Sequence, residues 1–160
     1  MSDPDHNPTP PDENEGFLPL AVDLRDYVVF DLDAPAGRRV LSTDVLALDV
    51  ICLEPQQTLD ARTFATADAV YTVLAGTAWV VTDEVEVTLS ALQAVMIPAG
   101  EPHGLRNSSA DPLILQVITS PPEEVGVVPL GPAPAAVAEH DATTARPSLL
   151  DRLRRTLGSG

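Results

Sequence analysis

The sequence predicts an all-β fold, either a barrel or a sandwich of short strands. Two observations carry this prediction. Apolar runs rich in Val, Ile, Thr and aromatic residues are separated by turn signals and are too short for typical helices. In one run Val85, Val87 and Leu89 alternate with Glu86 and Thr88, which is the period of a strand with one buried face.

Seven runs fit this pattern: "YVVFDL" (27–32), "VLALDVICLEP" (45–55), "AVYTVLAG", "TAWVVTD", "VEVTLS", "AVMIPAG" and "LILQVITS". The spacing is typical of an all-β sandwich or barrel and unlike that of alternating strands and helices. We expect the strand at 27–32 to help cover a sheet edge. Trp79 and Met96 lie on predicted strands and are expected in the core.

Length and composition limit the classes of function. The chain has 160 residues, enough for one ordinary domain, and a net charge of −15. Such an acidic surface repels phosphate backbones and anionic lipids, which argues against nucleic-acid binding and broad membrane association. The one cysteine, Cys52, lies in an apolar run and is expected to be a buried small hydrophobic residue. With neither a leader-like segment nor a long apolar stretch, the expected location is the cytoplasm.

Composition shifts divide the chain into four predicted parts. Residues 1–16 form an acidic, proline-rich arm that is expected to be disordered, and residues 17–121 form the β barrel. Residues 122–147 have the Pro and Ala content of an extended linker. Residues 148–158 have the pattern of a short amphipathic helix.

One stretch, "PAGEPHGLRN", carries a family resemblance. Pro98, Gly100, His103 and Asn107 match the second motif of the cupins, G(x)5PxG(x)2H(x)3N, with Leu92 at the position of the leading glycine. The order of runs from about 45 to 120 also resembles the small single-domain cupins, which are double-stranded β-helix (jelly-roll) barrels. The resemblance implies that His103 points into the barrel and that the protein is a homodimer.

The first cupin motif, which normally donates two histidines and a glutamate to a metal, is degenerate. Counting back from Gly76 places Ala69 at the glutamate position. The histidine positions fall on Arg62 and Phe64, or on Thr63 and Ala65. One imidazole cannot replace several ligands, so we expect no cofactor and no metal site; His103 would be the ligand if there were one. Asp68 would face the interior only if its strand carried a bulge.

Three residues are candidates for a ligand pocket: His103, Tyr71 and Arg62. Tyr71 lies two residues after the glutamate position, so strand alternation turns it to the same interior as His103. Arg62 could hold a carboxylate or phosphate through two parallel hydrogen bonds. The alternatives are a hydrogen-bonded histidine filling the core, a core tyrosine and a solvent-exposed arginine. Asp83, Glu84 and Glu86 are expected at a solvated hairpin edge.

The last segment predicts a partner-binding helix. Leu149, Leu150, Leu153 and Leu157 form one apolar stripe, flanked by Arg152, Arg154 and Arg155. Linker and helix together resemble the encapsulation and targeting peptides that deliver cargo into bacterial protein shells. Such a short helix is expected to order only against a surface. That surface could be a protein partner such as a shell, its own barrel, a dimer mate or a lipid interface.

These observations favour a non-catalytic, metal-free cupin that binds a small ligand or a protein partner. The alternative is a metal-dependent isomerase, dioxygenase or decarboxylase with an atypical metal site. The missing ligands of the first motif argue against the enzyme, because the chemistry of that family relies on the metal.

Overall fold

A computed structural model of the chain describes residues 21–125 and 128–129. A short 3-10 helix, Leu24–Tyr27, precedes the strands. The strands are β1 (Ala36–Ser42), β2 (Ala47–Leu53), β3 (Thr58–Arg62), β4 (Asp68–Ala75), β5 (Thr77–Thr82), β6 (Glu86–Ser90), β7 (Ala94–Ile97), β8 (His103–Arg106), β9 (Leu113–Ser120) and β10 (Val128–Pro129). The predicted arm at 1–16 and the predicted helix at 148–158 lie outside the described residues.

The strands form two sheets that enclose one core. One sheet has six strands in the order β10-β1-β2-β9-β4-β7, and the other has four in the order β3-β8-β5-β6. The pairs within each sheet are antiparallel except β1 with β10. The all-β jelly-roll prediction is confirmed. No helix of the described residues is long and apolar enough to cross a membrane.

Side-chain alternation places the core between the sheets. In β9, Leu113, Leu115 and Val117 are fully buried, while the residues between them are partly exposed. Tyr71 and Val73 of the neighbouring β4 follow the same rule. Because successive side chains of a strand point to opposite faces, each strand contributes every second residue to the interior.

The segment 27–32 is not a strand, and this prediction was wrong. Tyr27 ends the 3-10 helix, and the residues after it are irregular. The segment packs on the outer face of β2, where Tyr27, Val50 and Cys52 form a second buried cluster. Its apolar residues therefore cover a sheet face and not an edge; at the outer side of β1 the pairing strand is β10. Cys52 is buried as expected, and burial raises the pKa of its thiol.

The expectation for Met96 and Trp79 was also wrong. Met96 is 59% exposed, because the pairing of β7 with β4 turns Val95 and Ile97 inward instead. Trp79 is partly buried on the outer face of β5, where its indole Nε1 donates a hydrogen bond to Glu86 Oε1 over 2.8 Å. Both side chains belong to the surface of the barrel.

The described body continues beyond residue 121, into the range predicted as linker. Val125 is buried in the core, and β10 pairs with β1. Arg39 on β1 forms an ion pair with Asp49 on β2 at 2.9 Å, and it donates to the Glu123 backbone carbonyl at 2.6 Å. Arg39 therefore holds the chain that follows β9 against the first two strands.

Three motif positions, Gly76, Leu92 and Gly100, adopt backbone conformations that favour glycine. Gly76 has a φ of +86°, and a Cβ there would lie 2.4 Å from the Pro112 carbonyl oxygen. Leu92, which stands in place of the leading glycine of the second motif, has a φ of 68° and is 86% exposed. The left-handed turn therefore persists without its glycine, at a conformational cost of about 1–2 kcal/mol.

Candidate functional site

Three paired strands place Arg62, His103 and Thr82 in one row at the end of the barrel. His103 begins β8 and pairs with Arg62, the last residue of β3, and with Thr82, the last residue of β5. Residues directly opposite each other in a sheet share a face. We call this end of the barrel the mouth.

His103 lies inside the barrel and has partners on both ring nitrogens. It is 2% exposed. Its Nε2 lies 2.8 Å from the hydroxyl of Tyr71, and its Nδ1 lies 3.0 Å from the backbone carbonyl oxygen of Glu101. Because a carbonyl only accepts, the proton is on Nδ1, and Nε2 accepts the hydrogen bond that Tyr71 donates. This arrangement describes a neutral imidazole with both nitrogens satisfied.

Burial sets the ionisation of both partners. It raises the pKa of the Tyr71 hydroxyl to about 12, and the positive charge of Arg62 opposes this shift. It also lowers the pKa of His103; the Glu101 carbonyl opposes this shift and the charge of Arg62 adds to it. Phe64 meets the imidazole edge-on, with ring centroids 5.5 Å apart. The pair is therefore uncharged at neutral pH.

Arg62 is a partly buried cation beside this pair. Its Nε donates to the Asp60 backbone carbonyl over 3.2 Å, and it forms no ion pair with any residue in the described ranges 21–125 and 128–129. Burial lowers the pKa of its guanidinium, while the nearby Tyr71 and Asp60 oppose that shift. A guanidinium that has lost water without gaining a carboxylate is a ready partner for an anion.

A pocket of about 190 Å³ opens next to the row, between the β5–β6 turn and β7. Its wall is mostly apolar, with one hydroxyl and two carboxylates. The lining residues are Val80, Thr82, Glu84, Val85, Val87, Val95, Met96, Ile97, Pro98 and Glu101. Glu101 connects this pocket to His103, because its carbonyl holds the imidazole.

The three sequence-predicted site residues come together at the mouth but do not line this pocket. His103 and Tyr71 are in contact, and Arg62 pairs with His103. The pocket itself was missed. Its walls come from edge strands of different sheets, β6 and β7, and alternating valines and isoleucines gave no sign of an open space. Glu84, expected on a solvated edge, is exposed and also lines the pocket.

Comparison with known proteins identifies the family. Residues 50–119 match the cupin domain family. The TT1209 protein of Thermus thermophilus is 33% identical, with a TM-score of 0.61, and the match covers 63% of this chain and 96% of that one. The chain belongs to the cupin family. No curated protein matches this cupin.

Two further structures share the fold of this cupin. A Klebsiella pneumoniae protein with a double-stranded β-helix domain is 22% identical, with a TM-score of 0.60, over 63% of this chain and 89% of that one. KdgF from Halomonas sp. is 16% identical, with a TM-score of 0.57, over 64% and 94% respectively. At these identities the likeness concerns the fold alone.

The residues at the mouth of this cupin do not fit the metal that the family implies. Ala69 occupies the glutamate position of the first motif, and the histidine positions fall on Arg62 and Phe64 or on Thr63 and Ala65, none of which is a histidine or a carboxylate. Arg62 also brings a positive charge. Asp68 is exposed, and its carboxylate accepts a hydrogen bond from the Ala99 amide at 2.9 Å. Among the described residues no three His, Cys, Asp or Glu side chains are grouped to hold a metal ion. A divalent metal needs several such donors.

Asn107, the last residue of the second motif, has a structural role. It is fully buried, and its amide nitrogen donates to the backbone carbonyls of Leu53 and Asp111. Its amide oxygen accepts from the amide and the hydroxyl of Ser109. These bonds fix the β8–β9 loop, and His103 is the member of the motif that faces the mouth.

Proposed function

We propose that this cupin is a binding module that holds a small organic ligand at the mouth of its barrel. The observation that carries the proposal is the pocket of about 190 Å³ beside the row of Arg62, His103 and Thr82. A concave, mostly apolar space with a few polar groups at its edge is the usual form of a small-molecule site.

The state of His103 supports binding over metal catalysis. Both of its ring nitrogens are engaged, so a metal would first have to displace the Tyr71 hydroxyl from Nε2 or the Glu101 carbonyl from Nδ1. Within the described residues every buried side-chain nitrogen or oxygen has a hydrogen-bond partner. The His103–Tyr71 pair is therefore uncharged and has no unsatisfied ring nitrogen. The groups that remain to contact a ligand are those of the pocket and Arg62.

The alternative function is a metal-dependent isomerase, dioxygenase or decarboxylase with an atypical site. An enzyme of this kind requires a set of metal ligands. At the mouth the one imidazole is engaged and lies beside a guanidinium, and the carboxylates of Glu84 and Glu101 are not grouped with it to hold a metal ion. We therefore place the binding function first.

The proposal is tested with ligand-observed NMR on a library of small organic compounds. The pocket is filled with Val95→Phe, and Val45→Phe, an exposed position, is the matched control. We expect compounds that bind the wild type and the Val45→Phe protein but not the Val95→Phe protein. Binding that is unchanged in Val95→Phe, or no binding at all, would overturn the proposal.

We also propose that the segment 148–158 docks on a protein partner such as a bacterial shell, and that the protein is a cytoplasmic homodimer. The leucine stripe and its arginines, which lie outside the described residues, support the first of these. Deleting residues from Ser148 onward tests it, since partner binding and cellular location should both change while ligand binding is kept. A truncated protein that keeps every partner and its location would contradict it. Light scattering of the purified protein tests the dimer.

A further inference from the structure

We infer that the ligand is a small apolar carboxylic acid, with its carboxylate on Arg62 and its hydrocarbon part in the pocket. This inference rests on the proposed function and adds the chemical class and the orientation of the ligand. It follows from the distribution of charge across the mouth and from the order of the strands that carry the row.

Charge is distributed unevenly across the mouth. At one side the guanidinium of Arg62 lacks an ion-pair partner within the described ranges. At the other side the pocket carries Glu84 and Glu101 and no basic residue. A carboxylate is therefore attracted to the Arg62 side and repelled from the pocket rim, so an amphiphilic acid has one favourable direction of binding.

The order of the strands sets the length of the ligand. In the four-stranded sheet Arg62, His103 and Thr82 stand on three adjacent strands. Adjacent strands lie about 4.8 Å apart, so Arg62 and the pocket-lining Thr82 are separated by roughly 10 Å. A short alkyl chain spans that distance. A ligand made only of a carboxylate and a methyl group would reach Arg62 but leave the apolar walls empty.

The guanidinium suits a carboxylate better than other groups. Its terminal nitrogens present two parallel N–H groups that match the two oxygens of a carboxylate. Nε is engaged by the Asp60 carbonyl, which fixes the side chain and leaves the terminal nitrogens for a ligand. The overall charge of −15 favours cations at long range, so preference for an acid would have to come from this local geometry.

The test compares hexanoate, hexanol and hexylammonium, which share one alkyl chain. Dissociation constants are measured by NMR titration on the wild type, Arg62→Gln and Arg106→Gln. Arg106 is the matched control, because it lies on β8 but is exposed and bonds to Gln56. Thermal melts confirm that each variant folds. We expect hexanoate to bind at least about tenfold tighter than the other two, and to lose about that factor in Arg62→Gln alone.

The other outcomes separate the two proposals. Equal binding of hexanoate and hexanol, abolished by Val95→Phe, would overturn the charge inference while the pocket function stands. Tighter binding of hexylammonium would overturn the inference in the same way. If none of the three binds, and the compound library also finds no ligand that Val95→Phe abolishes, both proposals fail.

Discussion

The hydroxyl of Tyr71 donates a hydrogen bond to Nε2 of His103 over 2.8 Å in the interior of the barrel. Tyr71 is fully buried and His103 is 2% exposed. The nitrogen that faces this hydroxyl would otherwise be available to a metal or to a ligand. The pair therefore makes the one histidine of the second motif a neutral part of the interior. Arg62 beside it remains a cation without an ion-pair partner among the described residues.

Removing the Tyr71 hydroxyl tests this pairing. In Tyr71→Phe the Nε2 atom stays buried without a donor, which costs about 1–3 kcal/mol in the free energy of unfolding. Tyr27→Phe is the matched control, because Tyr27 is only 4% exposed but its hydroxyl oxygen is not a fully buried atom and makes no hydrogen bond with the residues described. Urea unfolding measures both. Equal losses in the two variants would mean that the hydrogen bond does not stabilise the fold.

Stability should depend on pH through His103. Burial lowers its pKa in the folded protein below the ordinary value of 6.5. Below pH 6.5 the unfolded chain binds a proton that the folded protein does not, so the free energy of unfolding falls with falling pH until the folded pKa is passed. Glu101, Tyr71 and Arg62 are the groups that face the ring. An NMR titration of the His103 Cε1 proton gives the pKa directly; a value at or above 6.5 would contradict this prediction.

Metal content is predicted to be low. Elemental analysis of the purified, untagged protein should find less than one iron, manganese, nickel or zinc ion per chain, because the one imidazole at the mouth is engaged and no three metal-binding side chains are grouped among the described residues. His103→Ala is analysed alongside and should not change the result. A stoichiometric metal that disappears in the variant would restore the enzyme alternative.

Two glycines should respond differently to alanine. At Gly76 an added Cβ would meet the Pro112 carbonyl oxygen at 2.4 Å, so Gly76→Ala should lower the free energy of unfolding by about 3 kcal/mol or more. Gly100 has a similar φ of +84°, but no atom lies within 4 Å of the added Cβ, so Gly100→Ala should cost about 1–2 kcal/mol. Chemical unfolding of both variants compares them; similar losses would rule out the steric part of this argument.

Much of the barrel is predictable from the sequence because alternation is local. The alternation of apolar and polar residues around Val73, Leu89 and Val117 is sufficient to predict their strands. β1 and β3 were missed, since "AGRRVLS" and "TLDAR" carry charged residues and few apolar ones. The segment after Tyr27 was wrongly predicted as a strand, because its apolar residues pack on the outside of a sheet without forming one.

The site is predictable only in part, for a different physical reason. Alternation from Ala69 places Tyr71 inside, and the second motif places His103 there too, so their shared interior follows from the sequence pattern. The hydrogen bond between them required the structure. The pocket depends on how far the edge strands β6 and β7 stand apart, which no local pattern encodes. The position of Arg62 follows from the family motif. That Arg62 has no ion-pair partner among the described residues could be seen only in the structure.

The central claim is that the mouth holds a small organic ligand between Arg62 and the pocket. The most direct measurement is a map of chemical-shift changes on adding hexanoate to isotope-labelled protein. We predict that the methyl groups of Val87, Val95 and Ile97 and the Nε–H of Arg62 shift together, with one dissociation constant. Shifts confined to other surfaces, or no shifts at the solubility limit of hexanoate, would contradict the claim.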